Sequence, residues 1–194
     1  MTEPNQPNLD AVDWSKIPPP RDDGGTRHLV GVALPDIALA ATDGSRVSLA
    51  RLSGRTVVFV YPRTGRPGQI GLVDDWDQIP GARGCTPQSC AFRDRHAELK
   101  AAGAARVLGL STQDTAYQQE AVARLHLPFA ILSDEQLALT RALNLPVLQV
   151  AGQTLLQRMA WIIDAGRITH VFYPVFPPDR NAADVLAWLD THRV

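Results

Sequence analysis

Cys85 and Cys90 are the only two cysteines among 194 residues, five positions apart in the segment Gly84-Cys85-Thr86-Pro87-Gln88-Ser89-Cys90. The segment follows a stretch without periodicity and opens an amphipathic run, so Cys85 is expected at the start of a helix. Free N–H groups and the positive end of the helix dipole at such a place favour thiolate over thiol. A thiolate is the nucleophile that peroxide, disulfide and acyl chemistry all require. An isolated cysteine would read more readily as a small buried hydrophobe; a second thiol five residues on favours the reactive reading. Five helical residues give roughly 7.5 Å of rise and about 140° of rotation, which sets the two Cα atoms about 8.6 Å apart. A disulfide wants less than about 7 Å. If both cysteines are helical when reduced, bridging them needs the first turn to unwind, and the bond is then a conformational switch and not a staple.

Other chemistry-bearing residues are less well placed. His96 shares the expected face of Cys85 with Phe92 and Leu99 but stands about 16 Å of rise away, too far for a Cys-His nucleophile pair. His170 falls on an expected strand and reads as structural. Trp76, in Asp74-Asp75-Trp76-Asp77, either covers a pocket or anchors its loop. The five histidines are scattered and there is no C-x-x-C, so a structural zinc site lacks its ligands. Neither a metal nor another cofactor is expected.

The elements that must position these cysteines alternate between strand and helix. Residues 37–50 form two short alternating runs around Asp43-Gly44, a hairpin signal. Thr56 to Tyr61 is apolar throughout, as expected of a central strand buried on both faces. From Pro62 to Gly84 no periodicity is found, and a loop of that length in a compact domain is usually functional. A helix is expected from Thr86-Pro87 to about Gly103, with Thr86 as its cap. A strand over Val107–Leu110, a helix over Asp114–Leu125, a strand over Pro128–Leu132 and a helix over Asp134–Leu143 follow. Met159–Ile163 and Ile168–Phe172 make a second hairpin across Ala165-Gly166, and Asn181–Leu189 a last helix. The segment Tyr173-Pro174-Val175-Phe176-Pro177-Pro178 reads as a packed connector. This is an α/β domain with a mixed central sheet. Residues 1–29, rich in proline, read as an extended N-terminal arm, and residues 30–194 as the folded domain.

Bulk properties narrow the setting. The chain is 45% hydrophobic, enough to bury one core. Its net charge of −1, from 19 basic and 20 acidic residues, argues against nucleic acid or an anionic membrane surface as partner. No apolar run is long enough to span a bilayer. The start carries Glu3, Asp10 and Asp13 where a secretory signal carries basic and apolar residues, so a cytoplasmic location is the default expectation. In a reducing compartment, two cysteines are catalytic, redox-sensing or metal-binding and not a disulfide framework.

Gly84-Cys85-Thr86, the C-x₄-C pair and Phe92-Arg93-Asp94 closely resemble the active-site segment of peroxiredoxins of the bacterioferritin-comigratory, or Q, type. The order of elements agrees from the early hairpin and the strand TVVFVYP to the late strand RMAWIID, over roughly residues 30–190. The resemblance implies a thioredoxin-like fold with an N-terminal β-hairpin and a thiol peroxidase of the atypical two-cysteine kind. Carried over residue by residue, Cys85 resembles the peroxidatic cysteine and Cys90 the resolving cysteine. Arg158 matches the arginine before the late strand, where it would hold the thiolate and polarise the peroxide. Hydrogen peroxide or an organic hydroperoxide is the implied substrate, a thioredoxin-like dithiol protein the implied reductant, and a monomer or homodimer the expected assembly.

This sequence departs from the family pattern at two places: Gln78 stands where proline is expected and Ala82 where threonine is expected, three residues before Cys85. The hydroxyl that would contact thiolate and peroxide is absent there, and Thr64 and Thr86 are the candidates to replace it. The loop 62–84 is also longer than the pattern. Other readings remain open: a thiol-disulfide oxidoreductase on the same fold, a redox sensor or copper-handling protein using Cys85, Cys90 and His170, and a degenerate binding module. The C-x₄-C spacing and Arg158 speak against the first, and ligand spacing against the copper reading.

Overall fold

In a computed structural model the described residues are 12–69 and 71–193; the first eleven residues of the arm, with Glu3 and Asp10, lie outside them. The sheet is built on β3 (Thr56–Val60), every residue of which is buried. Its side chains alternate between two cores. Val58 and Val60 face one with Leu39, Leu110, Met159 and Trp161, while Val57 and Phe59 face the other with Cys85, Phe92, Leu99 and Ile162. A strand buried on both sides has no polar face to alternate, which is why the run is apolar from Val57 on.

Seven strands form a mixed sheet in the order β2-β1-β5-β4-β3-β8-β9. The first hairpin is β1 (Ala38–Ala41) and β2 (Arg46–Ser48). β4 (Arg106–Ser111) runs parallel to β3, and β5 (Ile131–Ser133) parallel to β4. β8 (Met159–Asp164) is antiparallel to β3, with Val60 opposite Met159, and pairs with β9 (Arg167–Phe172). Helices α1 (Cys85–Asp94), α2 (His96–Ala101), α3 (Thr115–Leu125) and α5 (Asn181–Thr191) contribute to the Phe59 core, and α4 (Ala138–Ala142) to the Trp161 core. No helix among the described residues is long and apolar enough to cross a membrane.

Several expectations need correction. The helix expected from Thr86 to Gly103 is two helices, interrupted at Arg95 (φ −98°, ψ 9°), and its N-cap is Gly84. Thr86 therefore sits inside the first turn. The helix expected from Asp134 begins at Ala138; the Asp134 carboxylate reaches forward to accept from the Leu139 and Thr140 N–H groups. Pro128, with no N–H to give, stands outside β5. A further hairpin, β6 (Val147–Val150) with β7 (Gln153–Leu156), has no counterpart among the expected elements. Its turn puts Ala151 at φ 49° and Gly152 at φ 75°, the paired left-handed geometry of a type I′ turn, here without the Asn or Asp that flags one in sequence.

Residues 12–28 run along the surface. The Trp14 ring meets Phe176 edge-on at 6.1 Å and its indole N–H donates to Asp179. Further along, the Tyr173 hydroxyl donates to the Asp23 carboxylate at 2.8 Å. Leu29, fully buried, joins the core.

Candidate active site

β3 and β8 are antiparallel neighbours, so the residues just after β3 and just before β8 emerge side by side. Those residues are Pro62-Arg63 and Arg158. The loop that leaves β3 returns through a 3₁₀ turn at Trp76–Gln78 and delivers Gly84-Cys85 to the same end of the sheet. Gly84 is at φ 108°; a Cβ there would stand 2.5 Å from Pro178 Cγ and 2.9 Å from the Trp14 ring, so only glycine brings the chain in this closely.

Cys85 is the first residue of α1 and 3% exposed. Arg158 Nη2 donates to its Sγ at 3.3 Å and the Arg63 backbone N–H at 3.4 Å, while Sγ lies 3.6 Å from the Ala82 carbonyl. Arg158, 2% exposed, is held by more than the sulfur. Its Nη2 also faces the carbonyls of Gly81, Ala82 and Arg83 at 3.2, 3.1 and 3.0 Å, and its Nη1 donates to Gln88 Oε1 at 2.5 Å. Gln88 in turn donates to Asn181 on α5 at 2.9 Å. A buried guanidinium needs such a complement of acceptors. The backbone of residues 81–83 provides it, so Ala82 serves through its carbonyl where its side chain has no hydroxyl.

Behind the sulfur, burial pushes the Tyr61 phenol far above its ordinary value, and charge at Cys85 acts in the same direction. That phenol is therefore a neutral wall and not an acid. Phe59 and Phe92 stack at 4.5 Å beneath it and fix α1 against the sheet.

The two threonines differ. Thr64 is buried, and its hydroxyl and backbone N–H both donate to Gln113 Oε1, at 3.1 and 3.0 Å, which commits that hydroxyl to Gln113. Thr86 is half-buried, its hydroxyl has no protein partner among the described residues, and it lines the hollow at Cys85. That hollow is about 300 Å³, bounded also by Val12, Arg63, Trp76, Asp77 and Arg83. Cys90, half-buried, lies a turn and a half along α1, and neither cysteine is bridged.

The site thus joins Cys85, Arg158 and Thr86, with Cys90 on the same helix and Thr64 engaged by Gln113. Sequence reasoning missed Gln88, Asn181 and the Arg63 backbone N–H. Gln88 carried a faint signal, a polar residue three positions after Cys85 on its face. A backbone donor carries none. His96 packs beside Phe129 at 5.8 Å and His170 against Trp188 at 5.0 Å, both away from the thiol.

The Redoxin family matches residues 29–186 of the chain. A putative chloroplastic peroxiredoxin Q from Oryza sativa subsp. indica is 33% identical over 163 residues, 83% of this chain and 66% of the relative. The chloroplastic peroxiredoxin Q of Populus jackii is 31% identical over 163 residues, 83% of this chain and 68% of the relative. The chain therefore spans about two thirds of the length of these relatives. Among solved structures, the peroxidoxin BcpB of Mycobacterium tuberculosis has a TM-score of 0.67 at 24% identity, covering 85% of this chain and 98% of that one. A peroxiredoxin Q of Xanthomonas campestris has a TM-score of 0.64 at 24% identity, covering 84% and 98%. At that identity the structural likeness establishes the thioredoxin-like fold.

Proposed function

The chain belongs to the Redoxin family and within it to the peroxiredoxins of the Q type, and from that membership we propose that it is a thiol peroxidase whose reacting atom is the sulfur of Cys85. The observation that carries the reading is the 3.3 Å contact from the buried Arg158 guanidinium to that sulfur, at a helix N-terminus that opens into a hollow. Negative charge on sulfur is matched there by a fixed cation, a backbone N–H and the helix dipole.

In this reading the thiolate attacks the nearer oxygen of the peroxide, the O–O bond breaks and sulfur is oxidised by two electrons to sulfenic acid. The leaving oxygen takes a proton and departs as water or an alcohol. Arg158 and the Arg63 N–H are placed to hold charge on the oxygens as the bond stretches. The Thr86 hydroxyl, on the lining of the hollow and without a protein partner among the described residues, substitutes for the one absent at Ala82. Thr64, committed to Gln113, has the weaker claim.

Cys90 then attacks the sulfenic acid, water leaves, and a Cys85-Cys90 disulfide forms. Both residues are in α1, so this step unwinds the start of the helix. The disulfide is redox-active, reopened by a thioredoxin-like dithiol protein. Hydrogen peroxide and organic hydroperoxides are both substrates; alkyl peroxide reduction is the activity described for the similar bacterioferritin comigratory protein of Xanthomonas campestris. No metal or cofactor takes part. We take residues 1–29 as an extended arm ahead of the domain, supported by a family match that begins at residue 29, with Val12 reaching the hollow at Cys85 and Trp14 packed on Gly84. A near-neutral charge disfavours nucleic acid and membranes as partners, a redox pair suits a reducing compartment such as the cytoplasm, and a monomer or homodimer is the working assembly.

Stopped-flow reaction of the reduced protein with hydrogen peroxide tests the assignment. Cys85→Ser is expected to be inert. Cys90→Ser is expected to consume one equivalent and halt as a sulfenic acid that dimedone traps. Slow, similar oxidation of both single variants would overturn the reading.

A further inference from the structure

We propose that Arg63 and Arg66 make this site select organic hydroperoxides that carry a carboxylate; the inference rests on the peroxidase reading and names a substrate class for it. Two depressions meet at Arg63, Gly65 and Trp76. One is the hollow at Cys85, about 300 Å³; the other, about 120 Å³, is lined further out by Arg66, Leu72 and Tyr117. Together they make a groove that leads from the reacting sulfur, past an indole wall, to two guanidiniums.

Among the described residues the charge along this groove is not balanced. Arg63 and Arg66 both stand over the Tyr117 ring, 4.7 and 4.1 Å from its centroid, so two like charges share one aromatic anchor. Among the described residues the counter-charge in reach is Glu120, 3.6 Å from Arg66 Nε, and Arg124 already engages that carboxylate at 2.6 and 3.4 Å. Arg66 Nε is buried without an acceptor at hydrogen-bond distance among the described residues. The Arg63 guanidinium donates to a neutral group, Gln153 Oε1, at 3.4 Å. On the facing rim, Asp77 is neutralised by its ion pair with Arg83. Among the described residues three guanidiniums, Arg63, Arg66 and Arg124, thus have one carboxylate between them, and such an excess of planar cations beside an aromatic ring is an arrangement suited to a further carboxylate.

Hydrogen peroxide and small neutral hydroperoxides end short of this pair. A hydroperoxide whose carboxylate lies several bonds from the O–O group spans the groove, with apolar atoms against Trp76. Its reaction balances as before: thiolate, hydroperoxide and one proton give sulfenic acid and the corresponding alcohol, and the carboxylate is unchanged.

Three hydroperoxides test this: hydrogen peroxide, cumene hydroperoxide and cumene hydroperoxide bearing a para carboxylate. In the reduced wild type the carboxylated compound is expected to react about tenfold faster than its neutral parent at low ionic strength, with the advantage shrinking as salt screens the pair. Arg66→Gln is expected to remove most of the advantage while leaving the hydrogen peroxide rate unchanged. Arg63→Gln is expected to lower the ratio of carboxylated to neutral rates, and Arg63→Lys to restore part of it. Equal rates for the two cumene hydroperoxides in the wild type, or a ratio unmoved in both glutamine variants, would overturn the proposal. If none of the three peroxides oxidises Cys85, the peroxidase reading itself fails, and this inference with it.

Discussion

Replacing Arg158 separates a group that acts on the sulfur from one that merely clamps a loop. Its guanidinium faces three backbone carbonyls, Gln88 and Cys85 Sγ from two nitrogens about a bond angle apart. Arg158→Gln removes both the charge and the fork. Loss of one preorganised donor at a site of developing charge costs a factor of about 10²–10³ in rate, and the peroxide reaction is expected to slow by that much. Stability should fall as well, by roughly 2–4 kcal/mol, because buried carbonyls lose their donor although loop 81–83 can turn partly to water. Arg158→Lys keeps the charge, but one nitrogen cannot serve Gln88 and the sulfur together, so it should lose about tenfold or more in rate. Second-order rates from stopped-flow, set beside urea midpoints, give both numbers for each variant. Gln88→Leu, which leaves the arginine but removes its aim, should show a smaller loss that is not additive with Arg158→Gln. If Arg158→Lys and Arg158→Gln lose stability but react at the wild-type rate, the arginine only clamps the loop and its catalytic role is refuted.

Gly84→Ala should destabilise the protein by about 1–3 kcal/mol, since the new methyl meets Pro178 and Trp14 at a left-handed backbone position; the urea midpoint should drop with its slope unchanged. Oxidation to the Cys85-Cys90 disulfide should reduce helical circular dichroism and speed amide exchange in residues 85–91, and reduction should reverse both; an oxidised form with α1 fully protected would contradict the unwinding step. His170, stacked on Trp188 with His192 beyond it, is held below its ordinary 6.5, first by burial and then by the His192 charge. The unfolded chain then takes the proton first, so stability is full above that value and is lost as pH falls through it. His170→Phe should lose less stability than wild type between pH 7.5 and 5.5, read from urea midpoints.

How much was legible in advance varied with the range of the interaction responsible. The apolar run at 57–60, the Asp43-Gly44 turn and the Ala165-Gly166 turn are local patterns, and they mark β3 and the two hairpins of the main sheet. Cys85, Cys90 and Arg158 stood out because their types are scarce or fall at motif positions. The interruption at Arg95 and the late start of α4 were not legible. In the second, a carboxylate four residues outside the helix caps it, and no local periodicity records that.

What the sequence determined by itself is the chemistry available: two thiols five residues apart at a helix start, on a chain with the composition for one α/β core. What tertiary structure alone decided is which groups meet. Pairing of Val60 with Met159 sets Arg158 beside the end of β3, and three carbonyls of a loop without periodicity then aim it at sulfur. Buried Gln113 engages the Thr64 hydroxyl, leaving Thr86 as the site hydroxyl without a protein partner among the described residues. Those contacts join residues tens of positions apart, and those of Arg158 run through backbone carbonyls that every residue possesses, so residue type could not announce them.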